Sequence, residues 1–260
     1  MVDIHSHVLP GVDDGAKSME ESIEMLRKAA SDGIDIMVAT PHMLPGVYKT
    51  ESIKRIKLTE KLQALALENH IEIQVKPGVE YYFSPEIIEN IENLKEFTIN
   101  NNGKYLLIEL PMQDIPPHVE DVFLKIKSAG ITPILAHPER NIGICRKPNA
   151  LYDLVTKGLV TQLNAGSLMG YFGRQSKKTA RTLLKHNMIH LVASDMHASS
   201  SVTLAAAVPY VKDIIGSVKA DHLFNKNPRC VLNGEELDQD VPIRIEKRRK
   251  GFLSLLFGRN

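Results

Sequence analysis

Short apolar runs alternate along this chain with stretches in which apolar residues recur every three or four positions. The alternation predicts strands interleaved with amphipathic helices. The first helix has the plainest limits: Ser18-Met19-Glu20-Glu21 has the form of a capping box, Ile23, Leu26 and Ala30 share one face, and Gly33 follows the last turn. A strand over 36–39 comes directly after it. The pattern then predicts a charged helix over 52–68, a strand over 71–75, a helix over 85–93 and a strand over 105–109. Further along, a helix over 119–129 closed by Gly130 leads to a strand over 132–136, and a helix over 149–157 closed by Gly158 leads to a strand over 160–163. A helix over 177–185 and a strand over 189–193 complete about seven βα units. Alternation of this kind means parallel strands with helices outside, and 260 residues suit an α/β barrel better than an open sheet.

The ends of these strands carry the chemistry. His5 and His7 end the first, His42 follows the second in Thr40-Pro41-His42, and Glu80 closes Pro77-Gly78-Val79-Glu80. Glu109, His137 in Ala136-His137-Pro138-Glu139-Arg140, Asn164, and Asp195-Met196-His197 continue the series. All C-terminal strand ends of an α/β barrel meet on one face, so these distant residues converge there. Each has a plainer reading alone: a hydrogen-bonded structural histidine, a solvated glutamate, or, for Asp13 and Asp14, a cap on the helix that begins near Ser18. Together they would crowd carboxylates at one end of a barrel, which is costly unless cations neutralise them. A histidine and carboxylate set without thiolates favours Mn, Fe, Zn or Mg over a structural zinc knot. His70, His118, His186, His190 and His222 lie in other contexts and read as ordinary surface or core residues.

Composition narrows the partners. The chain is 43% hydrophobic and 24% charged, which fits one large core. A net charge of +1 argues against nucleic acid as the main partner. Cys145 and Cys230 have no paired spacing and suit a reducing compartment. The metal-site motif begins at residue 3, where a signal peptide's charged and apolar regions would lie, so a cytoplasmic location is expected.

The strings His5-Ser6-His7, Leu9-Pro10-Gly11-Val12-Asp13-Asp14-Gly15, Thr40-Pro41-His42, Ala136-His137-Pro138-Glu139-Arg140 and Ser194-Asp195-Met196-His197 resemble the polymerase and histidinol phosphatase (PHP) superfamily. Within it the chain is most similar to the bacterial protein-tyrosine phosphatases that regulate capsular and exopolysaccharide synthesis, with the Leu-Pro-Gly-x-Asp-Asp-Gly string as the specific part. The resemblance implies a distorted (β/α)7 TIM-like barrel holding three divalent ions, manganese first, with Fe, Zn, Co or Mg as alternatives. It places His5, His7, Glu80 and Asp195 on the first ion, Glu80 as a bridge with Glu109 and His137 on the second, and Asp14, His42 and His197 on the third. Arg140 resembles the family's phosphate-binding arginine. The implied partners are a phosphorylated bacterial tyrosine kinase and other phosphotyrosine proteins.

The chemistry supports that expectation independently. Cations on one face offset the repulsion between a phosphate dianion and an anionic nucleophile, and the planar fork of Arg140 suits nonbridging phosphate oxygens. A phenolate leaving group needs little protonation, so His42, His197 or a metal ion would suffice as its acid. A thiol mechanism, in contrast, needs Arg six residues after Cys. Leu151 and Glu236 occupy that offset from Cys145 and Cys230, so both cysteines read as structural. Two other readings share the metal motifs: a small-molecule phosphatase such as one for histidinol phosphate, and a non-catalytic metal-binding regulator.

The last twenty residues differ in composition. Residues 1–240 are expected to form a single phosphatase domain and 241–260 a tail, in which Arg244, Lys247, Arg248, Arg249 and Lys250 precede Phe252, Leu253, Leu255, Leu256 and Phe257. A basic run before an apolar stripe suits peripheral contact with an anionic membrane. A loosely ordered tail or a helix packed on the barrel is the plainer reading. The apolar run is far too short to span a bilayer.

Overall fold

A computed structural model describes residues 1–89, 91–198 and 203–246. Its strands are β1 (Val2–Ser6), β2 (Ile36–Ala39), β3 (His42–Met43), β4 (Gln74–Pro77), β5 (Glu80–Tyr82), β6 (Tyr105–Glu109), β7 (Thr132–Ala136), β8 (Val160–Asn164) and β9 (Leu191–Ala193). The helices are α1 (Met19–Ser31), α2 (Ser52–Glu68), α3 (Val119–Ser128), α4 (Ile142–Arg146), α5 (Asn149–Val155), α6 (Ala165–Met169), α7 (Gly173–Lys185), α8 (Leu204–Ile215), α9 (Ser217–Asp221) and α10 (Asn227–Asn233). All named strand pairs are parallel, in the orders β1-β2-β4 and β3-β5-β6-β7-β8-β9.

Two strands of the expected seven are each broken in the middle. Pro41 separates β2 from β3, and Pro77-Gly78 separates β4 from β5; neither proline can donate to a ladder. Gly78 has its own constraint, because a Cβ there would lie 2.9 Å from Val38 Cγ1. The breaks redirect β3 and β5, with His42 and Glu80 paired in register, onto the edge of β6. At the opposite edge Asp195 N donates to His5 O at 2.9 Å and His7 N donates to Met196 O at 2.8 Å, so the hydrogen bonds run from β9 back to β1. The expected α/β barrel architecture is thus the one observed.

Apolar packing comes in two layers. Val2, Ile4, Val38, Leu107, Ile134, Val160 and Leu191 fill the inside of the sheet, and Ile99 with Val231 and Leu232 of α10 closes the end from which the strands start. Leu26, Leu62, Phe123, Ile126, Leu183 and Leu184 from the helices form the outer layer against the other strand faces. Each fully buried Leu or Ile contributes roughly 1.5–3 kcal/mol. Sites at the mouth therefore rest on a dry, rigid base.

Several elements differ from the periodicity reading. In place of the helix expected over 85–93, the described residues Pro85–Ile88 and Ile91–Phe97, and Ile99–Asn101 after them, form 3-10 turns. The strand expected over 71–75 lies at Gln74–Pro77, because its register is set by pairing with β2. The helix expected over 177–185 starts earlier, at Gly173. Ser18 caps α1 as expected, accepting from Glu21 N, while Glu21 reaches back to Lys17 N. None of the described helices is long and apolar enough to cross a membrane. Residues 241–246 are pinned across the outer layer, with Ile243 N donating to His186 O and Asn149 bonding both ways with Ile245. Lys247 to Lys250 and the apolar stripe after them lie outside the described residues.

His190 sits at the foot of β9, buried and accepting from Thr161 N on Nδ1. Burial pushes its pKa down to about 4, below the ordinary 6.5. The unfolded chain therefore binds the extra proton first, and stability falls as pH drops through 6.5 and levels off below about 4. Urea denaturation should show this residue costing roughly 3 kcal/mol across that window. His190→Asn, whose side-chain oxygen can still accept from Thr161 N, should flatten the profile by that amount.

Candidate metal centre

The mouth of the barrel is built by backbone irregularities that aim side chains inward. On β1 the register to β2 shifts between Asp3 and Ser6, so one extra residue stands on β1. Val2 and Ile4 belong to the inner layer, and the bulge changes the parity so that His5 and His7 follow them inward instead of facing the helices. His137 (φ 31°) and Asp195 (φ 52°), just after β7 and β9, lie in the left-handed region. Non-glycine residues adopt it at a cost, and it turns both side chains back over the mouth.

Nine expected residues come together there. His5 Nε2 lies 3.3 Å from His7 Nε2, 3.3 Å from Glu80 Oε2 and 3.5 Å from Asp195 Oδ1. His7 Nε2 lies 3.4 Å from Glu80 Oε2 and 3.3 Å from Asp195 Oδ1. These separations match the edge of a tetrahedron of donors about 2.1 Å from one centre, roughly 3.4 Å. A second group joins His42, Glu80 and Glu109, with His137 Nε2 at 3.1 Å from Glu80 Oε1 and 3.6 Å from Glu109 Oε1. A third joins His7, Asp14, His42 and His197; His197 Nε2 and His42 Nε2 stand 3.4 and 3.6 Å from Asp14 Oδ1. The groups share His7, His42 and Glu80, which is the geometry of adjacent sites.

Electrostatics points the same way. Burial alone would raise the carboxyl of Glu80, but His5, His137 and His42 hold it well below the usual range. Burial opposes charge on His5 too, yet Glu80 and Asp195 push its pKa up to about 9. Glu109 is raised by burial and by the charge of Glu80. Glu80 Oε2 is buried and makes no well-formed hydrogen bond although His42 Nδ1 stands 2.9 Å away. A buried anionic oxygen faced by several imidazole nitrogens, all offering lone pairs when neutral, is a donor set suited to divalent cations.

A second layer of residues fixes these donors, and most of it escapes sequence reading. Asp13, assigned only as a possible helix cap, accepts from His7 Nδ1 at 2.7 Å, Gly15 N at 2.9 Å and His42 N at 3.0 Å. Gln162 Oε1 is 2.9 Å from His5 Nδ1, and Asp3 Oδ1 accepts from the backbone of His5 and Ser194. Asn164, one of the polar strand-end residues but assigned to none of the three ions, has a supporting role. Its Nδ2 donates to Asp195 Oδ2 at 2.8 Å and its Oδ1 accepts from Gly166 N, so both polar atoms are used in support. Arg140 Nη1 donates to the same Asp195 oxygen at 2.7 Å, and its guanidinium lies 4.2 Å from the centre of the Phe172 ring. A cavity of about 450 Å³ opens over the cluster, lined by Asp14, His42, Glu80, Glu109, Arg140 and His197. The only sequence signals for the second layer were the doubled aspartate and the inward parity of Gln162 and Asn164 on β8.

The loop carrying Asp13 and Asp14 is pressed against β1. A Cβ on Gly15 would stand 2.0 Å from His7 O. Gly15→Ala should therefore displace the His7 backbone and cost roughly 1–3 kcal/mol of stability, read as a lowered melting temperature together with shifted His7 resonances.

Comparison with known proteins places this geometry in a family. The family model described as "Capsular polysaccharide synthesis, CpsB/CapC" matches residues 1–233. Tyrosine-protein phosphatase YwqE of Bacillus subtilis is 34% identical over 251 residues, 96% of this chain and 98% of that protein. A crystal structure from work on YwqE of B. subtilis and CpsB of Streptococcus pneumoniae, described there as unique metal-dependent tyrosine phosphatases, superposes with a TM-score of 0.88 at 35% identity, covering 95% of this chain and 100% of the other. Histidinol phosphate phosphatase from Lactococcus lactis shares the fold alone, with a TM-score of 0.56 at 11% identity over 86% of this chain and 94% of that one. The chain belongs to the CpsB/CapC family of capsular polysaccharide synthesis.

Proposed function

We propose that the chain is a metal-dependent protein-tyrosine phosphatase that acts on a cognate bacterial tyrosine kinase and its substrates, and so regulates capsular or exopolysaccharide synthesis. The observation that carries the reading is the convergence of His5, His7, Glu80 and Asp195 at 3.3–3.5 Å beside an arginine held by Asp195 in an open cavity. Full-length similarity to YwqE supports the phosphotyrosine substrate.

In this reading His5, His7, Glu80 and Asp195 hold one ion; Glu80, Glu109 and His137 a second; Asp14, His42 and His197 a third. Nitrogen and oxygen donors without thiolate suit Mn, Fe, Co, Zn or Mg, with manganese first. Divalent ions bound there would offset the charge of a phosphate dianion and acidify water. The protein's own groups do the rest. Arg140 spends one N–H on Asp195 and keeps others for nonbridging phosphate oxygens. Its position is fixed from two sides, so little ordering remains when the ester binds. His42 and His197 line the cavity, and either of them or the ion they would hold could serve a phenolate leaving oxygen, which needs little protonation. The cysteines take no part: Cys145 donates to Glu139 O, and burial raises the pKa of its thiol.

Phosphate release should be measured from a phosphotyrosine peptide and from histidinol phosphate, with manganese and with chelator. Release from the peptide should require metal, and Arg140→Ala should lower kcat/KM by about 10²-fold or more. Absence of metal-dependent release from the peptide would overturn the reading. Asp13→Ala, which frees His7 Nδ1 and His42 N, should weaken manganese binding about 10–100-fold in calorimetric titration.

A further inference from the structure

The cavity above the cluster has apolar walls beside its charged groups. Leu44, Tyr48, Tyr82 and Phe172 line it together with the charged groups. Two of the aromatic residues are held in place by dedicated features. Tyr48 sits in a tight turn in which Leu44 N donates to Tyr48 O at 2.8 Å and Tyr48 N donates back to Leu44 O at 2.9 Å. Gly46, at φ 81°, takes the left-handed position of that turn. The Tyr48 ring then lies nearly parallel to His42, 15° between planes and 5.9 Å between centres. On the β8 side, Phe172 rests against Gly166, where a Cβ would come 3.0 Å from Phe172 Cε2. One side of its ring carries the Arg140 guanidinium, and 42% of the residue remains exposed.

Exposed aromatic surface locked beside a phosphate-binding cation has a physical use. A seryl or threonyl ester leaves such walls empty, because its chain is too short and too narrow to cover them. A phenyl ring fills them and gains both apolar burial and edge or face contact with the rings. We propose that Tyr48 and Phe172, with Leu44 and Tyr82, form an aryl slot that selects phosphate esters of phenols over alkyl phosphates. This deepens the phosphatase reading and rests on it. Tyr48 is a specificity residue that acts by contact with the substrate ring. Phe172 acts twice, by contact and as a positioning residue that keeps Arg140 flat against the cavity wall. The two roles are separable, because only the second affects a ligand without a ring.

The test uses nonhydrolysable ligands on the manganese-loaded full chain, so binding is read apart from turnover. Benzylphosphonate, ethylphosphonate and inorganic phosphate are titrated into wild type, Tyr48→Ala, Phe172→Leu and Phe172→Tyr, with melting curves to confirm folding. Wild type should bind benzylphosphonate at least tenfold more tightly than ethylphosphonate. Tyr48→Ala should reduce that preference to threefold or less with phosphate affinity unchanged. Phe172→Leu should reduce the preference and weaken phosphate severalfold, and Phe172→Tyr should restore both. A wild type without aryl preference, or variants that keep it, would overturn the slot while leaving the phosphatase reading intact. Failure of all three ligands to bind wild type would bring down both.

Discussion

Glu80 is the group around which the mouth of this barrel is organised. Its carboxylate is almost wholly removed from water, yet imidazoles of His5, His7, His42 and His137 surround it. An isolated buried charge would cost many kcal/mol, so such a group persists only where partners of opposite charge or cations compensate it. Glu109, Asp195, Asp13 and Asp14 add four more carboxylates within the same few ångströms, against a single nearby guanidinium. The local structure follows from keeping that crowd in place. A bulge in β1, proline breaks in two strands and left-handed backbone at His137 and Asp195 are all departures from regular geometry, and all lie at the mouth.

The supporting groups divide the work unevenly. A carboxylate, Asp13, stands behind His7, whereas an amide, Gln162, stands behind His5. A charged partner raises the basicity of the imidazole it orients more than a neutral one, so the two histidines of the His-x-His pair are chemically distinct despite their symmetry in sequence. Asp195 joins the two halves of the site, because one oxygen faces His5 and His7 while the other receives Asn164 and Arg140. The arginine proposed to grip the phosphate and the residues proposed to hold cations are thereby parts of one hydrogen-bonded unit.

This coupling also separates the candidate activities. A regulator that merely bound metal would have no use for an arginine tied to the Asp195 carboxylate and stacked on a ring. Likeness to histidinol phosphate phosphatase stops at the fold. Fold alone does not carry function, and the family match over residues 1–233 and the aromatic lining favour a phenolic ester instead.

Which residues stand at the strand ends, and that those ends share a face, was legible in the chain, because period-2 and period-3.6 patterns are local and a parallel α/β chain brings its C-terminal strand ends together. His5, His42, Glu80, Glu109, His137 and Asp195 could therefore be named before any distance was known. Which donors approach one another was settled by the folded chain. That depends on an extra residue in β1, which no local propensity announces, and on where Pro41 and Pro77 let β3 and β5 move to a new neighbour. Asp13 looked like a helix cap, and Asn164 was no more than a polar strand end, because short polar side chains suit several roles and only three-dimensional neighbours choose among them. Phe172 and Tyr48 carried no signal at all, since an aromatic residue in a loop acquires meaning only from what lies across the cavity.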